Sequence, residues 1–396
     1  MPSLVRPVRA PDNLIALNLR FHEGYYRNHP NVKLTFQNEG RNLGYYGVFD
    51  TGTHETHIFV ESASYPFNES HVIFEPAFRL RPGDPIARPA GVGEGYRLGP
   101  GVTPRNPGTV LYGVDGEQFG VESLGSIIET ITVFSGGSNR FGFHAPEVKL
   151  IRPPGVRHRA LLGAAQLSPF ARAAGIFAVV SPPNYDSLPP SRLQYLDWQL
   201  LIGGNASNHA QGYCSPEDPN LRWFPLVDTL YWQIDGIMWL APGARSPSAF
   251  RETAVIHNIQ MVLDTAGTEL IHLSPLMMDV VVSELESFGA RRIPDSGPFP
   301  RFSNCTAIND TTVLSLRIQP GSRHSTLDPL SLDFSMVQAL ISFGSGECLL
   351  PWKIGTSGAD NIVLIGTAFL ERVVTVFDKV DRRVGMCRRG NNAIQN

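Results

Sequence analysis

Short runs in which apolar and polar residues alternate dominate the chain. Val32-Lys33-Leu34-Thr35-Phe36 and Thr130-Ile131-Thr132-Val133-Phe134 put every second side chain on one face, the period of a half-buried strand. Tyr231-Trp232-Gln233-Ile234 and Val373-Val374-Thr375-Val376-Phe377 also read as strands. Helical spacing is scarce. The clearest case is Leu276 to Leu285, opened by Ser274-Pro275 and closed near Gly289; Ser suits the cap, Pro the first position and Gly the stop. Irregular composition marks 82–108 and 203–219. The expectation is an all-β protein with a few short helices.

Composition sharpens this. With 396 residues the chain exceeds one ordinary core, so two units are expected. Apolar residues at 42% against 17% charged argue for a well-buried globular protein rather than disorder. The 38 Gly and 32 Pro punctuate the β-branched and aromatic runs. A net charge of -3 gives no electrostatic case for nucleic acid or an anionic membrane. No apolar run approaches the roughly 20 residues of a membrane span. The N-terminus, Met1-Pro2-Ser3-Leu4-Val5-Arg6, has no apolar signal core, which fits a cytoplasmic protein or one whose leader has been removed. Glycosylation sequons begin at Asn68, Asn205, Asn304 and Asn309 and favour a secreted, secretory-pathway or vacuolar location. The four cysteines, Cys214, Cys305, Cys348 and Cys387, allow three pairings, or four buried thiols.

Two short segments carry the candidate chemistry: Val48-Phe49-Asp50-Thr51-Gly52-Thr53 and Met261-Val262-Leu263-Asp264-Thr265-Ala266-Gly267-Thr268. Each places an Asp after an apolar run and before a tight bend. They lie 264 − 50 = 214 residues apart, about one domain, and so form a weak internal repeat. Brought together, two such carboxylates cannot both ionise easily. One stays protonated, which supplies an acid and a base able to activate a water and protonate a leaving group. The bland alternative is that each Asp caps its own turn.

Around these segments the chain resembles the pepsin-type aspartic peptidase family. The first motif, through Thr53, is similar to that family's N-lobe signature. Leu111-Tyr112-Gly113-Val114-Asp115-Gly116 resembles its flap hairpin, with Tyr112 at the flap tyrosine. Gly175-Ile176-Phe177-Ala178 resembles the strand that threads behind the first loop, with Ala178 in place of Gly. Trp223-Phe224-Pro225 and Tyr231 to Ile234 resemble the opening strands of the second lobe. Ile365-Gly366-Thr367-Ala368-Phe369-Leu370, Val376-Phe377-Asp378 and Arg383-Val384-Gly385 are similar to the closing segment. The second motif departs, since Ala266 stands where the family has Gly and Gly267 follows, as though one residue were inserted. Glu269 also replaces a small hydroxyl residue. An extra residue there would tilt Asp264 by an ångström or more, enough to cost about 100-fold in rate.

The resemblance implies a bilobal double β-barrel with a flap, lobes 1–220 and 221–396, and a disulfide between Cys305 and Cys348. It implies Asp50 and Asp264 as catalytic residues, with Gly52, Thr53, Tyr112, Gly113, Gly267 and Thr268 contacting substrate. An extended peptide or small molecule would lie between the lobes of a monomer that needs no cofactor or metal. Peptide hydrolysis at acid pH is the leading expectation. The alternatives are a repurposed enzyme acting on a small metabolite by proton transfer or cyclisation, and a non-catalytic binding protein. His54-Glu55-Thr56-His57 has its histidines three apart rather than four and does not read as a metal site. Gly91-Val92-Gly93-Glu94-Gly95 reads as a surface loop rather than a phosphate cradle, and Trp223, Tyr231, Trp232 and Trp239 as core.

Overall fold

The computed structural model describes residues 13–21, 30–39, 44–60, 98–114, 117–135, 139–151, 160–181, 198–242, 254–266, 271–273, 275–294, 299–308, 313–320, 330–335, 340–342, 346–350, 352–354 and 362–390. Strand outweighs helix, 52% to 14%, as the alternating pattern leads one to expect. The glycine-rich loop around Gly93 falls outside the described residues.

Six strands close a barrel in the first half. Pro30–Phe36 pairs with Gly44–Asp50, which runs parallel to Ala160–Gly163. Thr56–Phe59, Arg140–Ile151 and the long Glu117–Phe134 follow in order. The last returns to the first through Leu34 opposite Val133, so these strands leave few open edges. Period two explains the closure: in Arg140–Ile151, Phe141, Phe143 and Ala145 are buried while Gly142, His144 and Pro146 face out.

A layer of six antiparallel strands joins the two halves. Its order is Ile15–Phe21, Trp198–Ile202, Ile176–Val180, Val373–Asp378, Arg383–Arg388 and Arg222–Pro225. The central pair comes from distant parts of the chain, with Phe177 opposite Phe377. Their rings stack at 4.8 Å, and Trp232 meets both edge-on at 5.6 and 5.2 Å. Phe49, next to Asp50, meets Phe177 at 5.9 Å and Phe170 at 5.3 Å. Such pairs add roughly 0.5–1.5 kcal/mol each beyond the burial of their area. The opposite face of the layer, with Ala178, Val180, Val374 and Val376, lies under helix Ala206–Gln211. That helix sits inside 203–219, which composition marks as irregular. Six residues are too few to show a period, and only Ala206 and Ala210 are buried.

The aspartate segments occupy matching places. Gly44–Asp50 runs parallel to Ala160–Gly163, which pairs antiparallel with Thr56–Phe59. Ala254–Leu263 runs parallel to Ile362–Ile365, which pairs antiparallel with Ile271–Leu273. The strand behind the first loop is therefore Ala160–Gly163, and the expectation for Gly175 to Ala178 is corrected. Ile176–Val180 belongs to the joining layer instead. Glycine is required at the crossing, because a Cβ on Gly163 would lie 2.3 Å from the Glu55 carbonyl oxygen. The counterpart in the second half is Leu364-Ile365-Gly366.

Helix Pro275–Ser287 forms as the spacing predicts and ends at Gly289, where φ is +97°. The second opening strand begins at Gln233. Tyr231 precedes it in a turn whose backbone N–H groups at Leu230 and Tyr231 donate to Asp228 Oδ1. Cys305 is bridged to Cys348, as the resemblance implies, and Cys214 to Cys387; the reading as four thiols is overturned. Among the described residues no helix is long and apolar enough to cross a membrane.

Gly163→Ala drives a methyl group into backbone that a sheet holds on both sides. It is expected to cost about 3 kcal/mol, measured as a fall in the denaturant midpoint at unchanged slope.

Candidate functional site

Each aspartate ends an apolar strand and caps its own bend. Asp50 Oδ1 accepts the Gly52 N–H at 2.7 Å, and Asp264 Oδ1 accepts the Ala266 N–H at 2.8 Å. Ala266 thus does for the second loop what Gly52 does for the first. Only a backbone N–H is needed at this place, so alanine supplies it as well as glycine. The tilt expected from Ala266 is not seen in this bond. Gly267, Thr268 and Glu269 lie outside the described residues.

The loops are locked by the threonines that follow the aspartates. Thr51 N–H donates to Thr265 Oγ1 at 3.0 Å, and Thr265 N–H donates to Thr51 Oγ1 at 2.9 Å. Thr51 Oγ1 donates to the Leu263 carbonyl at 3.0 Å, and Thr265 Oγ1 to the Phe49 carbonyl at 2.6 Å. Both threonines have 0% exposure. Each hydroxyl donates once and accepts once, so four bonds of matched pattern tie residues 214 apart in sequence. Sequence reasoning passes over Thr51 and Thr265 as site residues. The available signal is the recurrence of Asp-Thr at the two ends of the repeat.

This lattice brings the two carboxylates into contact. The Asp50 and Asp264 side chains share a hydrogen bond. A Cβ on Gly52 would stand 2.5 Å from Asp264 Cγ and 2.7 Å from each of its oxygens. Here the absence of a side chain lets the loops meet. Asp50 is 8% exposed. Burial first, then the charge of Asp264 and the hydrogen bond with it, raise the Asp50 carboxyl well above its ordinary range; the Gly52 and Thr53 N–H groups pull the other way. Capping a turn requires no second carboxylate in contact. That arrangement works against charge, and such opposition is more common at sites of chemistry than in scaffolding.

The second half also buttresses the first loop from behind. Trp232 Nε1 donates to the Ala164 carbonyl at 2.8 Å, and the Ala164 N–H donates to the Asp50 carbonyl at 2.6 Å. Gln166 Nε2 reaches the Asp228 carbonyl at 3.1 Å and the Tyr231 carbonyl at 3.4 Å. Trp232 reads as core from sequence; it is core and a hydrogen-bond donor as well. Thr53 holds the outer end of the loop, its carbonyl accepting the Ala165 N–H at 2.8 Å and its hydroxyl accepting the Glu55 N–H at 3.4 Å.

His54 is exposed, while His57 is buried with Nε2 3.0 Å from Glu55 Oε2. Lys149 Nζ meets the other Glu55 oxygen. His57 leads the causes that hold Glu55 down to about 2, and burial lowers His57 itself. Tyr112 and Gly113 stand in the hairpin Gly108–Val114 with Glu117–Phe134, opposite Phe119 and Gln118. The Tyr112 side chain and the turn at Asp115 and Gly116 fall outside the described residues.

Comparison of the sequence with family models gives no match, and comparison with curated proteins gives none. The site is therefore interpreted from its own geometry.

Two outcomes test that geometry. Thr51→Val and Thr265→Val each leave buried backbone groups unpaired and are expected to cost about 2–4 kcal/mol. The double variant should cost clearly less than the sum, read from a double-mutant cycle in urea. The second outcome concerns pH. A raised Asp50 value means the folded state binds the proton more tightly than the unfolded one. Stability from this group is then full below about 3.9, the unfolded value, and falls as pH rises through the folded value. Asp50→Asn, which does not ionise, should melt above wild type at pH 7, and the gap should close near pH 3.5.

Proposed function

We propose that the protein is an aspartic hydrolase that cleaves peptide bonds at acid pH. The observation that carries this reading is the hydrogen-bonded contact of Asp50 with Asp264, held by the Thr51 and Thr265 lattice. In this reading a water sits between the carboxylates. The ionised Asp takes a proton from the water as it attacks the peptide carbonyl, and the neutral Asp hydrogen-bonds the carbonyl oxygen. The proton then passes to the leaving nitrogen as the C–N bond breaks. No covalent intermediate is needed and no redox change occurs. Because one carboxyl must be neutral and one charged, activity belongs between the two macroscopic values of the pair.

The wider reading is a bilobal pepsin-like molecule with lobes 1–220 and 221–396, sharing the joining layer and opening a cleft over the aspartates. Substrate would lie extended in that cleft with Tyr112 and Gly113 above it and Gly52, Thr53, Gly267 and Thr268 along its floor. Two features support a peptide. Strand Gly108–Val114 is last in the order of its sheet, and among the described residues its outer edge has no strand partner, so an extended chain can add there. The Gly52 and Ala266 N–H groups also cap their aspartates alike despite the alanine, which weakens the case for a site repurposed toward a small metabolite.

The test is cleavage of an unfolded protein at about pH 4, with and without a peptide inhibitor that mimics the tetrahedral intermediate. The reading expects turnover that the inhibitor blocks, and a loss of at least about 1,000-fold in Asp50→Asn and in Asp264→Asn, each of which removes one partner of a dyad that works as a unit. Cleavage at the wild-type rate by either variant sinks it. Tight binding of the inhibitor by the wild type with no turnover from pH 3 to pH 7 would favour the non-catalytic binding protein.

A further inference from the structure

We propose that Asn205 is an N-glycan acceptor, modified in an oxidising secretory compartment, and that Asn304 stays bare. The inference is independent of the hydrolytic reading. It begins from the two disulfides, Cys214 with Cys387 and Cys305 with Cys348. Among the described residues no cysteine is left free. Disulfides of this kind persist where thiols are not kept reduced, the compartments in which asparagine is glycosylated.

The sequons then separate by what their amides are doing. Asn205-Ala206-Ser207 opens helix Ala206–Gln211. Asn205 is exposed at the turn that enters the helix. Its side chain makes no capping hydrogen bond although it stands at the cap position, where Asn ordinarily bonds the helix backbone. The amide is thus exposed and spared from the bond its position offers. In Asn304-Cys305-Thr306 the asparagine is also exposed and also makes no capping bond, but its amide is engaged elsewhere. Asn304 holds a left-handed backbone at φ 60°, and its Nδ2 donates to the Gly289 carbonyl at 2.8 Å. Its middle residue, Cys305, is tied to Cys348. Asn68 and Asn309 lie outside the described residues.

The location also suits a bulky, hydrated group. Residues of the joining layer alternate between its faces. Phe177 and Val179 pack in the core that holds Phe49 and Leu263, the neighbours of the two aspartates. Ala178 and Val180 pack with Ala206 and Ala210 of the helix. A glycan at Asn205 therefore projects from the side of the layer away from the aspartates. In the reaction the Asn205 amide nitrogen attacks the anomeric carbon of a lipid-linked oligosaccharyl pyrophosphate. The N–C bond forms as the bond from that carbon to phosphate oxygen breaks. The lipid pyrophosphate leaves with the electron pair, and the amide proton passes to a base of the transferase.

The experiment directs the full chain into the secretory pathway of a yeast with an added leader, and collects both cells and medium. Glycans are removed by an amidase in heavy-oxygen water, which converts each occupied Asn to a labelled Asp, and peptides are mapped by mass. The expected result is label at position 205 and none at position 304. Asn205→Gln and Ser207→Ala should each remove one glycan increment. The second keeps the asparagine, so loss in both identifies the sequon rather than a folding defect. An unlabelled position 205 in the wild type, or an unchanged increment in both variants, overturns the proposal. Label at position 304 overturns its second half.

Discussion

Two carboxylates held in contact and largely out of water impose the constraint around which this protein is built. They repel when both are charged, and burial penalises even one charge. Left to relax, the loops bearing them would part. They are held by four hydrogen bonds between Thr51, Thr265 and the carbonyls of Phe49 and Leu263. Each threonine hydroxyl uses its single proton on a carbonyl and a lone pair on an amide. The lattice has no charge of its own and loses nothing when a carboxylate changes protonation.

The rest of the fold keeps that lattice from shearing. Phe177 and Phe377 stack where the two halves meet, and Trp232 packs across both. The indole also donates to Ala164, whose own N–H holds the Asp50 carbonyl. The aromatic packing and the polar loop are thus one mechanical unit, with the first aspartate's backbone anchored by a residue of the second half. The crossing at Gly163 and the contact at Gly52 both depend on a missing side chain. At Ala266 only a backbone donor is needed, and there a methyl group is tolerated.

The sequence makes the main parts legible and hides the joints between them. The strands around Val32, Thr130 and Val373 and the helix ending near Gly289 follow from local period and caps, which any short window contains. Asp50 and Asp264 stand out because a turn-forming Asp after an apolar run recurs. Thr51 and Thr265 do not, since a threonine beside a strand is ordinary until its partner 214 residues away is in place. Gly175 to Ala178 and Ala160 to Gly163 are both apolar runs with a glycine, and only sheet register separates them. The partners of Cys214 and Cys387 are open in sequence. They are fixed by Cys387 standing in the strand opposite Val374, with Cys214 bridging to the next residue but one, Arg389.

The shared proton is tested most directly by carbon NMR of protein labelled at the aspartate carboxyls, titrated from pH 2 to pH 8, with Asp50→Asn and Asp264→Asn used for assignment. The account predicts that the Asp50 signal titrates well above the ordinary aspartate range and moves down when Asp264 is replaced by Asn. Two independent transitions near the ordinary value of about 3.9, each indifferent to loss of the other, would contradict it.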